Sequence, residues 1–306
     1  MIYNADKNVT DGTAYNFLNR VDSEIPFVLV SWVDDFQFNT DLNFVNNYYL
    51  VDFVEYGWDW DMKPHRFGIG QETERFKGEQ WKKFDDFVKN NPPLKYFKRE
   101  IFKEQVDLGL IPIDYPCWFK VSETQTREEF NNRAFEVINT WGRSHEDRLR
   151  LHAEIWQKAS KYGYNVCDNL NSLNGFADHE VGKKWITANI PWYARFPIEM
   201  IVGINGHAKI SISKAGAGRK CFRHTESPIN SVMLMIDDGI QFGYEWVHDY
   251  NCIMCKEGEE IETIIKYLES DKLYDIYVNG VETCRKYELE TYITNYIKPK
   301  LNAIIL

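Results

Sequence analysis

The stretch KISISKAGAGRKCFRHTE, residues 209–226, decides how this chain is to be read. Ile210 and Ile212 alternate with Ser211 and Ser213, which is the two-residue period of a half-buried strand. Ala215, Gly216, Ala217 and Gly218 follow, and the two positions without a Cβ let the backbone turn sharply with its N–H groups close to a ligand. A helix expected to begin near Lys220 brings unpaired amides and the positive end of its dipole to the same place. Lys220 and Arg223 add charge-assisted hydrogen bonds to phosphate oxygens. Glu226 is an acceptor-only carboxylate, and of the parts of a nucleotide it suits the two hydroxyls of a ribose. A Gly-x-Gly turn can also be a plain strand-to-helix connection with solvated charges, so the flanking sequence carries the decision.

Downstream, SVMLMI (231–236) and NCIMC (251–255) are short apolar runs that read as strands. A polar GEE leads into IETIIKYLES (261–270), with apolar residues at helical intervals. LYDIYVNGVETCRKYELETYITNYIKPKL (273–301) then reads as one amphipathic helix, with Pro299 near its end. Upstream, AFEVINT (134–140) reads as a buried strand and Trp141-Gly142-Arg143-Ser144 as its C-terminal turn. HEDRLRLHAEIWQKASKYG (145–163) reads as a helix closed by Gly163, and YNVCDNL (164–170) as the next strand. PWYARFPIEMIVGINGHA (191–208) is a helix feeding the Lys209 strand, with Pro197 in its first turn.

This order of elements resembles the C-terminal half of GT-B glycosyltransferases. There a glycine-rich turn precedes a helix bearing a ribose-binding Glu, and a later short strand precedes an acidic helix. The resemblance implies an α/β fold of two Rossmann-like domains facing a cleft, the N-terminal one reduced. Residues 1–120 would form the acceptor side and 121–306 the donor-binding side, with the last helix crossing back. It also implies that the donor diphosphate is held by Gly142, Arg143, Gly216, Gly218, Lys220 and Arg223, with Glu226 on the ribose. Many retaining members carry a second Glu eight residues before the ribose Glu; that position is Gly218 here, which leans the expectation towards inversion.

At 306 residues, 44% hydrophobic and 27% charged, the chain is long enough for two cores and has the composition of an ordinary globular protein. A net charge of −10 argues against broad attraction to polyanions or anionic membranes. No run approaches the roughly 20 apolar residues of a membrane span, and MIYNADKNVTDG lacks the features of a signal peptide, so a cytoplasmic location is expected. Six cysteines in largely apolar surroundings suggest reduced thiols, and Cys252-x-x-Cys255 inside a strand reads as core rather than a metal site.

In the N-terminal part, PFVLVSWV (26–33) and YYLVDFV (48–54) read as strands. EYGWDWDMKPHRFG (55–68) is a loop rich in Trp, Asp and His. Residues 78–102 suggest a helix stopped at Asn90-Asn91-Pro92-Pro93 and then a strand. LIPIDYPCWF (110–119) is the last apolar segment and KVSETQTREEFNN (120–132) the candidate linker.

The chemistry implied by the resemblance is metal-independent displacement at an anomeric carbon, with a nucleotide-sugar, expected to be a UDP-sugar, as co-substrate and no other cofactor. The leaving diphosphate needs cations and amides, and an inverting reaction needs a base. Asp34 and Asp35, after the first strong strand, are the first candidates for the base, with Asp59, Asp61 and His65 behind them. The acceptor is open between a glycan, a small molecule, a protein and a modified DNA base. The last of these would draw on Lys77, Lys82, Lys83, Lys95, Lys98 and Arg99 as a basic face. A non-catalytic nucleotide-sugar or carbohydrate-binding protein, using Trp58 and Trp60, is the competing class.

Overall fold

The computed structural model describes residues 2–4, 27–31, 48–52, 90, 92–99, 101, 106, 109–117, 119–142, 165–167, 184–190, 198–213, 220–237 and 239–302. The chain divides into two compact units. The first is Met1–Asp114 together with Ala217–Lys220 and Gly239–Gly243. The second is Tyr115–Gly216 with Cys221–Asp238 and Tyr244–Leu306.

The first unit contains a five-stranded sheet: β1 (Ile2–Asn4), β2 (Phe27–Ser31), β3 (Tyr48–Asp52), β4 (Lys95–Lys98) and β5 (Ile111–Pro112). The strands lie in chain order and every pairing is parallel. Tyr96 and Phe97 of β4 are buried with Ile101, Leu110 and Ile113. Lys98 and Arg99 at the end of β4 are also buried, so these two cannot contribute to an exposed basic face of the kind expected for DNA. Lys77, Lys82 and Lys83 lie outside the described residues.

The second unit is built on a six-stranded parallel sheet. Its strands are β6 (Phe135–Gly142), β7 (Asn165–Cys167), β8 (Lys184–Ile190), β9 (Ala208–Ser213), β10 (Val232–Ile236) and β11 (Ile253–Cys255). The spatial order is β11-β10-β9-β6-β8-β7. From β6 the chain passes to the edge strand β7, returns to β8 between β7 and β6, then crosses to β9 on the other side of β6 and builds outward through β10 and β11. The reversal therefore falls between β6 and β9, which pair in register from Phe135↔Ala208 to Ile138↔Ser211. In an open α/β sheet, the crevice outside the carboxyl ends of the strands at such a reversal is where ligands bind.

β9 departs from the half-buried reading. Ser211 and Ser213 are as buried as Ile210 and Ile212, because a central strand of a parallel sheet is covered on both faces. Ser211 Oγ is satisfied there by donating to Ser227 Oγ at 3.0 Å. β8 was not anticipated from the sequence. Its KWITANI alternates poorly, although Gly182 before it and Pro191 after it mark its ends.

The helices described in the second unit run from 4 to 13 residues. α1 (Arg127–Asn131) lies inside the stretch expected as linker and is fixed by a capping box, Thr126 accepting from the Glu129 amide while Glu129 accepts from that of Thr126. α2 (Ile198–Asn205) feeds β9, and Ile204 packs on Phe135, Ile138 and Ala208. α3 (Arg223–Glu226) continues into a 3-10 turn at Ser227–Ile229. α4 (Glu260–Leu268) and α5 (Leu273–Arg285) follow, both burying one face.

The C-terminal segment is not the single helix that its periodicity suggests. α5 stops at Arg285, and the chain resumes as α6 (Leu289–Tyr292), a π-helical turn at Ile293–Ile297 and α7 (Lys298–Asn302). The break is tertiary in origin. Cys117 N donates to Tyr287 O at 2.6 Å and Leu289 N to Cys117 O at 3.2 Å, so the Tyr287 carbonyl and the Leu289 amide bond to another segment, while Tyr287 N and Glu288 N close α5 with bonds to Cys284 O and Arg285 O. Glu288 Oε1 then accepts from Val121 N at 2.8 Å. Tyr287, Tyr292 and Tyr296 stack successively, with Trp246 against Tyr287, which buries the aromatic rings at the break.

Candidate donor site at the sheet reversal

Gly142 is the last residue of β6, one of the two strands at the reversal. Ser213 ends the other, β9, and residues 214–219 follow it. Continuing the register two residues beyond Ile138↔Ser211 sets Thr140 level with Ser213, so β6 and β9 end side by side. Arg143, Gly216 and Gly218 lie outside the described residues, as do Asp34 and Asp35 beyond β2 and Asp59, Asp61 and His65.

Lys220 is placed differently from the expectation. Its Nζ lies 2.6 Å from Asp114 Oδ1 and donates to Ile113 O at 3.1 Å and Gln241 O at 2.7 Å, with the Phe242 ring 4.6 Å away. Side-chain exposures of 1% for Lys220 and 2% for Asp114 make this a buried ion pair within the first unit, and the charge is turned inward in this structure. Asp114 was missed in the sequence, although a lone carboxylate inside the apolar run LIPIDYPCWF is itself a sign of a buried charge with a partner.

α3 is a single turn that starts at Arg223 and not at Lys220. It is pinned from several sides. Thr225 Oγ1 donates to Phe222 O at 3.0 Å, and Cys284 Sγ of α5 donates to Thr225 O at 3.1 Å. Phe222 stacks on Tyr115 with ring centroids 3.8 Å apart. Ser227, just past the turn, is tied to Ser211 of β9. His224 is buried with Nδ1 accepting from Cys221 N at 3.1 Å, so its ring closes its own turn.

Arg223 and Glu226, at the two ends of α3, are both half-buried. Burial pushes the Glu226 carboxyl up to about 7; the Arg223 guanidinium pulls it down and Cys221 pushes it up further. A carboxyl that changes ionisation near neutrality, one helical turn from a guanidinium and following a glycine-rich turn, can accept from hydroxyls when ionised and offers one fewer acceptor when protonated. Among the described residues no helix is long and apolar enough to cross a membrane.

Two parallel α/β sheets, the second with its reversal at β6/β9, define a GT-B fold. No protein-family model and no curated protein matches the sequence. Solved structures are similar in fold. TarM aligns over 94% of this chain and 56% of its own at 10% identity, with a TM-score of 0.51. A trehalose-6-phosphate synthase, described in connection with glycosyltransfer with retention, aligns over 95% of this chain and 76% of its own at 7% identity and a TM-score of 0.53. A UDP-forming α,α-trehalose-phosphate synthase from Burkholderia xenovorans aligns over 98% and 78%, at 8% identity and a TM-score of 0.50. The chain thus spans little more than half the length of TarM and about three quarters of the two synthases.

Proposed function

We propose that this protein is a glycosyltransferase that moves a sugar from a nucleotide-sugar, a UDP-sugar in the simplest case, to an acceptor hydroxyl. The observation that supports the reading is that β6 and β9, neighbouring parallel strands at the sheet's reversal, end at Gly142 and Ser213. Arg223 and Glu226 follow β9 in the chain, on α3. A donor bound there sets its ribose against Glu226 and its diphosphate against Gly142, Arg143, Gly216, Gly218 and Arg223. Lys220, held by Asp114, is left out of that contact set.

In the transfer the bond from the anomeric carbon to the diphosphate oxygen breaks and the bond to the acceptor oxygen forms. Negative charge grows on the departing diphosphate, and amides and guanidinium groups neutralise it without a metal ion. The acceptor proton passes to a base, for which Asp34 or Asp35 is the proposed residue. Gly218 stands where a retaining site would place a carboxylate, and this favours inversion. The similar trehalose-6-phosphate synthase is described as retaining, so product stereochemistry is a direct test. The acceptor is proposed to be a glycan or small molecule. A modified DNA base loses support because Lys98 and Arg99 are buried.

A thermal-shift screen against nucleotide-sugars, followed by diphosphate-release assays with the donor that stabilises, tests the reading. Stabilisation by one donor with slow release that an acceptor accelerates is the expected result. Binding with no turnover across acceptors assigns a binding module instead, and no binding at all overturns the proposal.

A further inference from the structure

The single turn of α3 has an inward and an outward side. His224 and Thr225 are buried, Arg223 and Glu226 are half-buried, and Phe222, at the cap of the turn, is 41% exposed. Phe222 has helical dihedrals, φ −53° and ψ −32°, and its carbonyl accepts from Glu226 N at 2.9 Å, so residues 222–226 close one turn. A helix advances about 100° per residue, which sets Phe222 about 40° to one side of Glu226 and Arg223 about 60° to the other. The four-residue spacing brings the Cβ atoms of Phe222 and Glu226 to about 5–6 Å. One face of the Phe222 ring is taken by Tyr115, which is buried and belongs to the same unit; the ring centroids are 3.8 Å apart and the planes 22° from parallel. The exposed area of Phe222 therefore lies away from Tyr115, where a further flat ring can extend the stack.

A nucleoside diphosphate carries base, ribose and diphosphate in that order, and the outward side of this turn offers an aromatic ring, a carboxylate and a guanidinium in the same order. We propose that Phe222 is the platform on which the nucleobase of the donor stacks, beside the ribose on Glu226 and across it from the diphosphate on Arg223. This rests on the donor-site reading above and adds the base to it. A phenyl ring has no hydrogen-bonding group, so Phe222 meets only the π face that every base has. It contributes affinity and leaves the choice of base to other groups.

The test uses Phe222→Leu, which keeps an apolar side chain and removes the ring, and Phe222→Trp, which keeps a ring and adds a fluorescent reporter. Both are checked for folding by circular dichroism and titrated with uridine and UDP. In Phe222→Leu the expected result is a loss of about fivefold or more, by the same factor for both ligands, because they share the base. Phe222→Trp should bind UDP at least as tightly as the wild type, and a base stacked on the introduced indole should quench fluorescence beyond the change seen in the wild type. Wild-type affinity for uridine in a folded Phe222→Leu overturns the proposal. So does a Phe222→Trp protein that binds UDP without added quenching, an outcome readable even where Phe222→Leu does not fold. In both of these cases UDP still binds and the donor-site reading stands; if the wild type itself binds neither uridine nor UDP, it is that reading which fails.

Discussion

The thiol of Cys284, on α5, donates to the carbonyl of Thr225 at 3.1 Å, one residue before Glu226. Through this bond the core of the C-terminal segment holds the single helical turn on which the candidate ribose ligand sits. Cys284 is fully buried, and burial raises its thiol well above the ordinary range, so it remains a neutral donor. Replacing it with Ala leaves the Thr225 carbonyl to find another partner. The expected outcome is a modest loss of stability, about 1 kcal/mol for a neutral hydrogen bond plus the lost packing of the sulfur, with a weaker affinity for uridine. Denaturant melts and calorimetry with uridine measure the two effects; unchanged uridine binding would separate Cys284 from the site.

Glu226 gives a pH dependence with a defined sign. Its folded carboxyl is raised from the ordinary 4.5 to about 7, mainly by burial. Between those values the native state holds a proton that the unfolded state has released, so stability falls as pH rises through that window. Glu226→Gln removes the ionisation while keeping the shape. The variant should match the wild type in stability near pH 5 and exceed it near pH 8, and thermal melts at the two values check this. Donor affinity should move oppositely in the wild type, rising as the carboxylate forms, and should be flat in the variant.

The two ends of α3 should separate by ligand. Glu226→Ala is expected to weaken uridine and UDP by similar factors, because both carry the ribose. Arg223→Ala is expected to weaken UDP by about tenfold or more and to leave uridine almost unchanged, since a charged hydrogen bond to phosphate is worth about 1.5–3 kcal/mol. Titration calorimetry with the two ligands decides it, and the same loss for both ligands in Arg223→Ala would take the guanidinium off the diphosphate.

Gly280 lies in α5 where the helix meets the Asn251 carbonyl; a Cβ there would stand 2.8 Å from Asn251 O. Asn251 is fixed by its own bonds, Nδ2 donating to Thr283 Oγ1 at 2.9 Å and to Glu245 O at 3.1 Å. The backbone carbonyl therefore cannot yield easily. Gly280→Ala, although it improves helix propensity by about 1 kcal/mol, should lower Tm, with overpacking costing about 1–3 kcal/mol. A raised Tm would show that α5 can slide.

At the edge of the expected linker, Thr126→Ala removes the hydroxyl that caps α1. A loss of about 1 kcal/mol is expected, read by denaturant unfolding, with donor binding untouched. A much larger loss would mean that residues 120–132 bear on folding beyond one local helix.

The periodicity of residues 209–213, the apolar runs at 231–236 and 251–255 and the spacing of Gly216 to Glu226 were enough to order β9, β10, β11 and α3, because short-range patterns determine local conformation. The strand read at 134–140 was legible for the same reason, although it runs on through Trp141 and Gly142, which the sequence suggests as its turn. Sequence alone did not reveal that Ser211 and Ser213 are buried, since covering both faces of β9 depends on layers brought in from distant chain. Nor did it reveal the stop of α5 at Arg285, where bonds to Cys117 outcompete continuing the helix, or that Lys220 turns inward to Asp114. Those three features arise from contacts between residues far apart in the chain. An amphipathic pattern states which groups prefer burial, but only the assembled fold decides which carbonyl, carboxylate or ring each of them meets.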